Sequence, residues 1–219
     1  MKSFNNTLIP VWKPVEVYSN DIVRAIGDKY SVKAGHAGTL DPFAEGVLIV
    51  CTGTETKKIT ENQILKKKYL ATIHLGEETN TLDLMGEVIR KKSINRKFSK
   101  KDIEKALSKF KGTVMQRPPA FSALRRNNVR LYSLARKDIY ISLKPRPVDI
   151  QSLHLVSMNE NSIEFEVVCG KGTYIRSLAK DIALELGTLG YLKKLIRLEV
   201  GSYNKNSCYE IDSILGRFR

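Results

Sequence analysis

Among the 219 residues, one stretch gathers side chains that could do chemistry: Gly35-His36-Ala37-Gly38-Thr39-Leu40-Asp41-Pro42, followed by Ala44 and Gly46. It puts a carboxylate, Asp41, on a loop stiffened by Pro42, with Gly35, Gly38 and Gly46 able to take positive φ or to let other backbone come close. His36 and Asp41 are too few to hold a metal, and neither His74 nor His154 lies at helical or turn spacing from them. A Ser/His/Asp hydrolase is poorly supported as well, because no G-x-S-x-G elbow occurs. That leaves a carboxylate acting alone, as nucleophile or as base. The alternative is an ordinary Asp-Pro turn with no chemical duty.

Two further residues invite the same question. Arg176 follows Gly170-Lys171-Gly172-Thr173 in the first turn of an expected helix. A cation there opposes the helix dipole unless an anion lies close, and Asp41 or a phosphate would serve; otherwise Arg176 is a surface arginine. Tyr69 follows Lys66-Lys67-Lys68. A tyrosine beside a basic run suits stacking on a base whose phosphate the lysines neutralise, whereas a plain strand aromatic belongs to the core.

The charge is uneven. The formal net charge is +14, yet residues 1–65 hold 7 Lys+Arg against 7 Asp+Glu, residues 66–150 hold 21 against 8, and residues 151–219 hold 9 against 8. A cationic block of this kind fits a polyanion such as nucleic acid, or else a solvated lysine-rich face. Cys51, Cys169 and Cys208 are odd in number and form no C-x-x-C pair, which argues against structural zinc and a disulfide framework and for a reducing compartment. The longest apolar run, Val47 to Cys51, is far too short to span a membrane, and Met1 to Thr7 lacks a secretory apolar run, so a cytoplasmic protein is expected.

The elements that must position these groups read as α+β. Strands are expected at Leu8–Trp12, Gly46–Cys51, Tyr69–Leu75, Asp138–Leu143, Asp149–Val156 and Ser162–Cys169, the last with Ile163, Phe165 and Val167 inward. Helical spacing covers Asn20–Tyr30 and Ser99–Phe110. Ser99 and Asp102 form a capping-box variant at the second helix, and a third is expected from a Thr173 cap to Leu186, stopping at Gly187. Strands in consecutive runs favour a mostly antiparallel mixed sheet flanked by helices. Gly35–Glu45 and Gln116–Ala123 read as irregular, functional segments, and with no linker or repeat the chain is expected to be one domain, residues 1–219, with an insertion at 115–147.

The loop around Asp41, with Val47 and Leu48 after it, resembles the signature of the TruB family of tRNA pseudouridine synthases. The likeness continues in order through Lys68-Tyr69, Thr79 to Gly86, Pro118 to Arg136, Arg146-Pro147, Gly172-Thr173-Tyr174-Ile175-Arg176 and Leu195 to Val200. The resemblance implies the pseudouridine synthase fold and isomerisation of the T-loop uridine, position 55, of tRNA, with no metal and no organic cofactor. It implies Asp41 as nucleophile, Arg176 as its charge partner and Tyr69 stacked on the target uracil. His36 would fill the space the flipped nucleotide leaves, and Leu195 would line the uracil pocket. Lys13, Gly38, Thr39, Lys68 and the thumb-loop residues Arg125, Arg126, Arg130 and Arg146 would complete the tRNA-binding set, on a protein expected to be a monomer. The segment from Arg117 to Arg146 holds 8 basic residues against Asp138, with Phe121 and Tyr132 interleaved, as an RNA-gripping thumb requires.

The family pattern is not fully kept. The family's Lys-Pro-x-Gly appears as Lys13-Pro14-Val15-Glu16, Asn80 stands where an aspartate is usual, and Arg125 and Asn128 replace a lysine and a glycine in the thumb. The sequence ends at Arg219, so a short form lacking the C-terminal PUA domain is expected. A catalytically silent RNA-binding or tRNA-folding protein on the same scaffold is the alternative function.

Overall fold

The computed structural model describes residues 4–216 apart from Ala123, Asn127, Asn128, Arg136, Asp138, Tyr140 and Ser142; of Arg125, Arg126 and Arg130 it describes the backbone. The chain begins with β1 (Leu8–Lys13), α1 (Ser19–Tyr30), β2 (Ala34–His36), β3 (Glu45–Thr52), a 3-10 segment (Gly53–Lys58), α2 (Ile59–Ile64) and β4 (Lys67–Leu75). Then come β5 (Glu77–Thr79), β6 (Val88–Lys91), α3 (Lys100–Ser108), β7 (Gly112–Gln116), the short β8 (Arg125–Arg126) and β9 (Val129–Arg130), and α4 (Leu131–Ala135). The chain continues through β10 (Arg146–Asn159), β11 (Ser162–Cys169), α5 (Ile175–Glu185), β12 (Gly190–Val200), β13 (Tyr209–Glu210) and α6 (Ile211–Leu215). Two compact units result, Met1–Leu70 with Leu195–Arg219, and Ala71–Lys194; β4 and β12 each carry residues of both.

In the first unit β3 is the hub. It pairs antiparallel with β1, from Leu8↔Cys51 to Lys13↔Gly46, and with β2. It also pairs parallel with the end of β12, where Arg197 faces Gly46. β13 lies parallel to β1. Both faces of β3 are covered, which explains why Val47–Cys51 is continuously apolar rather than alternating. Leu48 and Val50 pack with Ile22 and Ile26 of α1 and Ile211 and Ile214 of α6, whereas Val47, Ile49 and Cys51 pack with Ala37 and Val200. Each of the Val, Leu and Ile side chains among these contributes about 1.5–3 kcal/mol through burial.

In the second unit the strand order is β4-β11-β10-β7, with β10 antiparallel to both neighbours. The alternation of β11 buries Ile163, Phe165, Val167 and Cys169. Helix α3 carries the full capping box, Ser99 Oγ accepting from Asp102 N at 3.2 Å and Asp102 accepting from Ser99 N at 2.9 Å. The pairing is mixed and mostly antiparallel, and the architecture is the α+β one expected.

Three local expectations are corrected. Thr173 does not cap α5: its hydroxyl donates to Gly170 O, and Tyr174 holds the N-cap position. The strand expected at 138–143 is absent from its described residues Ile139, Ile141 and Leu143; Asp138 and Ser142 lie outside the described residues. The segment Gly35–Glu45 is not wholly irregular, because its first residues form β2.

Candidate active site

Asp41 sits half-buried between β2 and β3, in the first unit, on a loop whose backbone is anchored almost residue by residue. The buried Ser19 hydroxyl accepts from Leu40 N (3.0 Å) and donates to Leu40 O (2.8 Å). Pro42 O accepts from Glu16 N at 2.8 Å and from Lys13 Nζ at 3.2 Å, and Ala44 N closes a turn onto Asp41 O at 3.1 Å. Two glycines are required by conformation: Gly38 and Gly46 both have φ of +121°. At Gly46 a Cβ would stand 2.2 Å from Arg197 O, so glycine there also admits the neighbouring strand.

Arg197 is a member of this site that residue types and spacing did not single out. The residue is 2% exposed, and its side chain donates through Nε to Val47 O (2.6 Å) and through its two terminal nitrogens to Thr39 O (3.2 Å) and Gly38 O (3.1 Å). A signal exists in the sequence, since Arg197 lies within the family-like stretch Leu195 to Val200. Lys13, expected among the substrate-binding residues, is fully buried, and its ammonium donates to Pro14 O at 2.7 Å as well as to Pro42 O. Burial lowers its pKa to about 8, opposed by the nearby Asp41 carboxylate and assisted by Arg197.

The other expected residues of this unit are Gly38, Thr39, His36 on β2, Lys68 and Tyr69 on β4, and Leu195 on β12. Tyr69 and Leu195 are buried, while Lys68 and His36 are half-buried.

Arg176 belongs to the second unit. It lies in the first turn of α5, and the anion that the helix dipole calls for is supplied there by Asp83, whose Oδ2 is 3.4 Å from the guanidinium, both side chains being 7% exposed. Arg176 also donates to Thr81 O and to Phe121 O, each at 2.9 Å. Asp83 is set in turn by Thr81 Oγ1 (2.7 Å) and Met85 N (3.0 Å), both donating to its Oδ1. Asn80, where the family pattern has aspartate, still supplies an acceptor oxygen, taking Glu87 N at 3.1 Å.

The segment expected as an insertion, 115–147, is tied to the start of the same helix. Gln116 makes a two-way clamp on Tyr174 (3.1 and 2.8 Å), and Ser177 Oγ donates to Arg117 O at 2.8 Å. At its other end Arg146 donates to Gly172 O and lies 5.5 Å from the centre of the Tyr174 ring. The backbone of Arg125 and Arg126 pairs with Arg130 and Val129 in a small hairpin. The side chains of Arg125, Arg126 and Arg130, together with Arg136, Asp138 and Asn128, lie outside the described residues.

Among the described residues no three His, Cys, Asp or Glu gather as a metal-holding group, and no helix is long and apolar enough to cross a membrane.

The fold has counterparts among solved structures. A crystal structure of the archaeal box H/ACA sRNP Nop10-Cbf5 complex is similar in fold, with TM-score 0.71 at 21% identity over 97% of this chain and 54% of that one. A Cbf5-Nop10-Gar1 complex gives TM-score 0.71 at 25% identity, over 95% of this chain and 53% of that one. The chain thus spans about half the length of these solved chains. In sequence it is 39% identical to tRNA pseudouridine synthase B of Francisella philomiragia subsp. philomiragia, over 95% of this chain and 70% of that protein. It is 42% identical to tRNA pseudouridine synthase B of Phocaeicola vulgatus, over 88% of this chain and 81% of that protein. The profile of the N-terminal domain of TruB family pseudouridylate synthases matches residues 24–175. With a rigidly held Asp41 loop, a buried arginine on α5 and relatives of this extent, the chain belongs to the TruB family of pseudouridylate synthases.

Proposed function

We propose that this chain is a tRNA pseudouridine synthase, an isomerase that converts the T-loop uridine at position 55 to pseudouridine. The observation that carries the proposal is the likeness to proteins named tRNA pseudouridine synthase B at 39–42% identity across most of this chain, beside an Asp41 loop held by backbone hydrogen bonds. The reaction balances within one substrate. The bond from ribose C1′ to uracil N1 breaks, a bond from C1′ to C5 forms, C5 loses its proton and N1 gains one. Neither water nor a redox partner enters, so one carboxylate acting as a transient nucleophile is sufficient.

The roles are those that the family resemblance implies. Asp41 acts as nucleophile and Arg176 as the cation that stabilises charge during transfer. Tyr69 stacks on the uracil, Leu195 lines the base pocket, and His36 occupies the space left in the RNA loop. Gly38, Thr39 and Lys68 border the nucleotide. The target base must leave its stack at a cost of roughly a few kcal/mol, which contacts from Arg125, Arg126, Arg130 and Arg146 to phosphates offset. The protein works as a single catalytic domain with its insertion at 115–147, as a monomer on the T stem-loop, in the cytoplasm. The direct check is conversion of one uridine in a T-arm hairpin, detected by carbodiimide modification of the product; a hairpin with no pseudouridine after prolonged incubation at saturating protein contradicts the proposal.

A further inference from the structure

Two buried cations lie beneath the Asp41 loop, and both direct donors to backbone carbonyls. Lys13 serves Pro14 and Pro42, and Arg197 serves Gly38, Thr39 and Val47. Arg197 has the stricter geometry. Three nitrogens of one planar group converge on three carbonyls, two of them two and three residues before Asp41 and one at the start of the apolar stretch of β3. The β12 backbone at Arg197 is itself fixed against Gly46, where even a methyl group would collide. The guanidinium therefore hangs from a rigid strand and ties both flanks of the loop to it.

A buried arginine is costly to desolvate, and an apolar residue would fill the same space without that penalty. The loop carbonyls would then be left without donors, which is also unfavourable. The site is built around the fork of an arginine: lysine, with one compact ammonium, reaches one or two of the three oxygens at best.

We propose that Arg197 is a positioning residue for the pseudouridine reaction, holding the carbonyls of Gly38, Thr39 and Val47 so that Asp41 is presented in one orientation to the flipped nucleotide. This rests on the function proposed above. It makes the arginine act through Asp41 rather than on the RNA, so its loss lowers the rate of the chemical step and leaves RNA affinity in place. A displacement of about 1 Å at the reacting group costs on the order of 100-fold in rate.

The test compares wild type, Arg197→Lys and Arg197→Gln in single-turnover release of the C5 hydrogen from a T-arm hairpin, with hairpin affinity and thermal unfolding measured on the same preparations. The expected result is a single-turnover rate lower by about 100-fold in both variants, a hairpin Kd within about threefold of wild type, and a rate deficit that persists after normalising to the folded fraction. A second readout is rescue: millimolar guanidinium, far below denaturing concentrations, should restore part of the rate to Arg197→Gln and none to Asp41→Asn. Rate losses that merely track the folded fraction, or failure of both variants to fold, assign Arg197 to stability alone and overturn the proposal. If wild type converts the hairpin and the variants match it, the positioning role falls while the function stands. If wild type releases no hydrogen, both fall.

Discussion

The buried pair of Asp83 and Arg176 offers a quantitative test of how the second unit holds its candidate catalytic arginine. Replacing Asp83 by Asn keeps the shape and one acceptor oxygen for Thr81 Oγ1 and Met85 N, but it removes the negative charge and turns an NH2 group toward a guanidinium 3.4 Å away. Unit charges at that separation interact by roughly 5 kcal/mol at an effective dielectric constant of about 20. The asparagine recovers part of this because it is easier to desolvate, and Arg176 retains its bonds to Thr81 O and Phe121 O. A net loss of about 3 kcal/mol follows, at the lower end for breaking a buried pair, and in a chain of this length it corresponds to a fall of about 6–12 °C in Tm. The assay is thermal and urea unfolding of wild type, Asp83→Asn, Arg176→Met and the double variant. The double-mutant cycle should give a coupling of about 2 kcal/mol or more. A coupling below about 0.5 kcal/mol, the scatter of independent sites, would refute the assignment of Asp83 as the counter-ion.

Three further outcomes are expected. Glu16 takes the family's glycine position with φ of +63°, so Glu16→Gly should raise stability by about 0.5–1 kcal/mol, the left-handed strain relieved less the entropy of glycine; a neutral or lower Tm would count against strain at this turn. Lys13 has its pKa lowered from 10.5 to about 8, so between these values the unfolded chain holds the extra proton. Wild type should therefore gain stability relative to Lys13→Met as pH rises from about 8 toward 10.5, and the difference should be flat below 8; a flat difference throughout would contradict burial of the charged amine. Neutralising Arg125, Arg126 and Arg130 should weaken hairpin binding and flatten its salt dependence by about 0.7 log units for each phosphate no longer neutralised, whereas an unchanged slope in filter-binding titrations would put those charges in solvent.

Much of this arrangement is legible from residue types. The doubly covered β3 announces itself as a continuous apolar run, α3 by its Ser99–Asp102 capping box, and the Asp41 loop by its glycines and Pro42. What stays hidden is long-range. Asp83 meets Arg176 from another segment of the chain, and Arg197 reaches the carbonyls of Thr39 and Gly38 across 158 and 159 positions. No local spacing reports such partners, and a lysine or arginine in a sequence reads as surface because burial of either is rare. Short elements such as β5, β13 and α6 span too few residues for a period to register. Thr173 shows a related ambiguity: its side chain could serve either the helix or the preceding turn, and the turn at Gly170 wins.

The central claim is that Asp41 performs the isomerisation, and release of the C5 hydrogen from a T-arm hairpin tests it most directly. Wild type should release one hydrogen per hairpin, and Asp41→Asn should release none while binding the hairpin with wild-type affinity. Hairpin binding without release by the wild type would support a silent RNA-binding protein, and undiminished release by Asp41→Asn would show that another group does the chemistry.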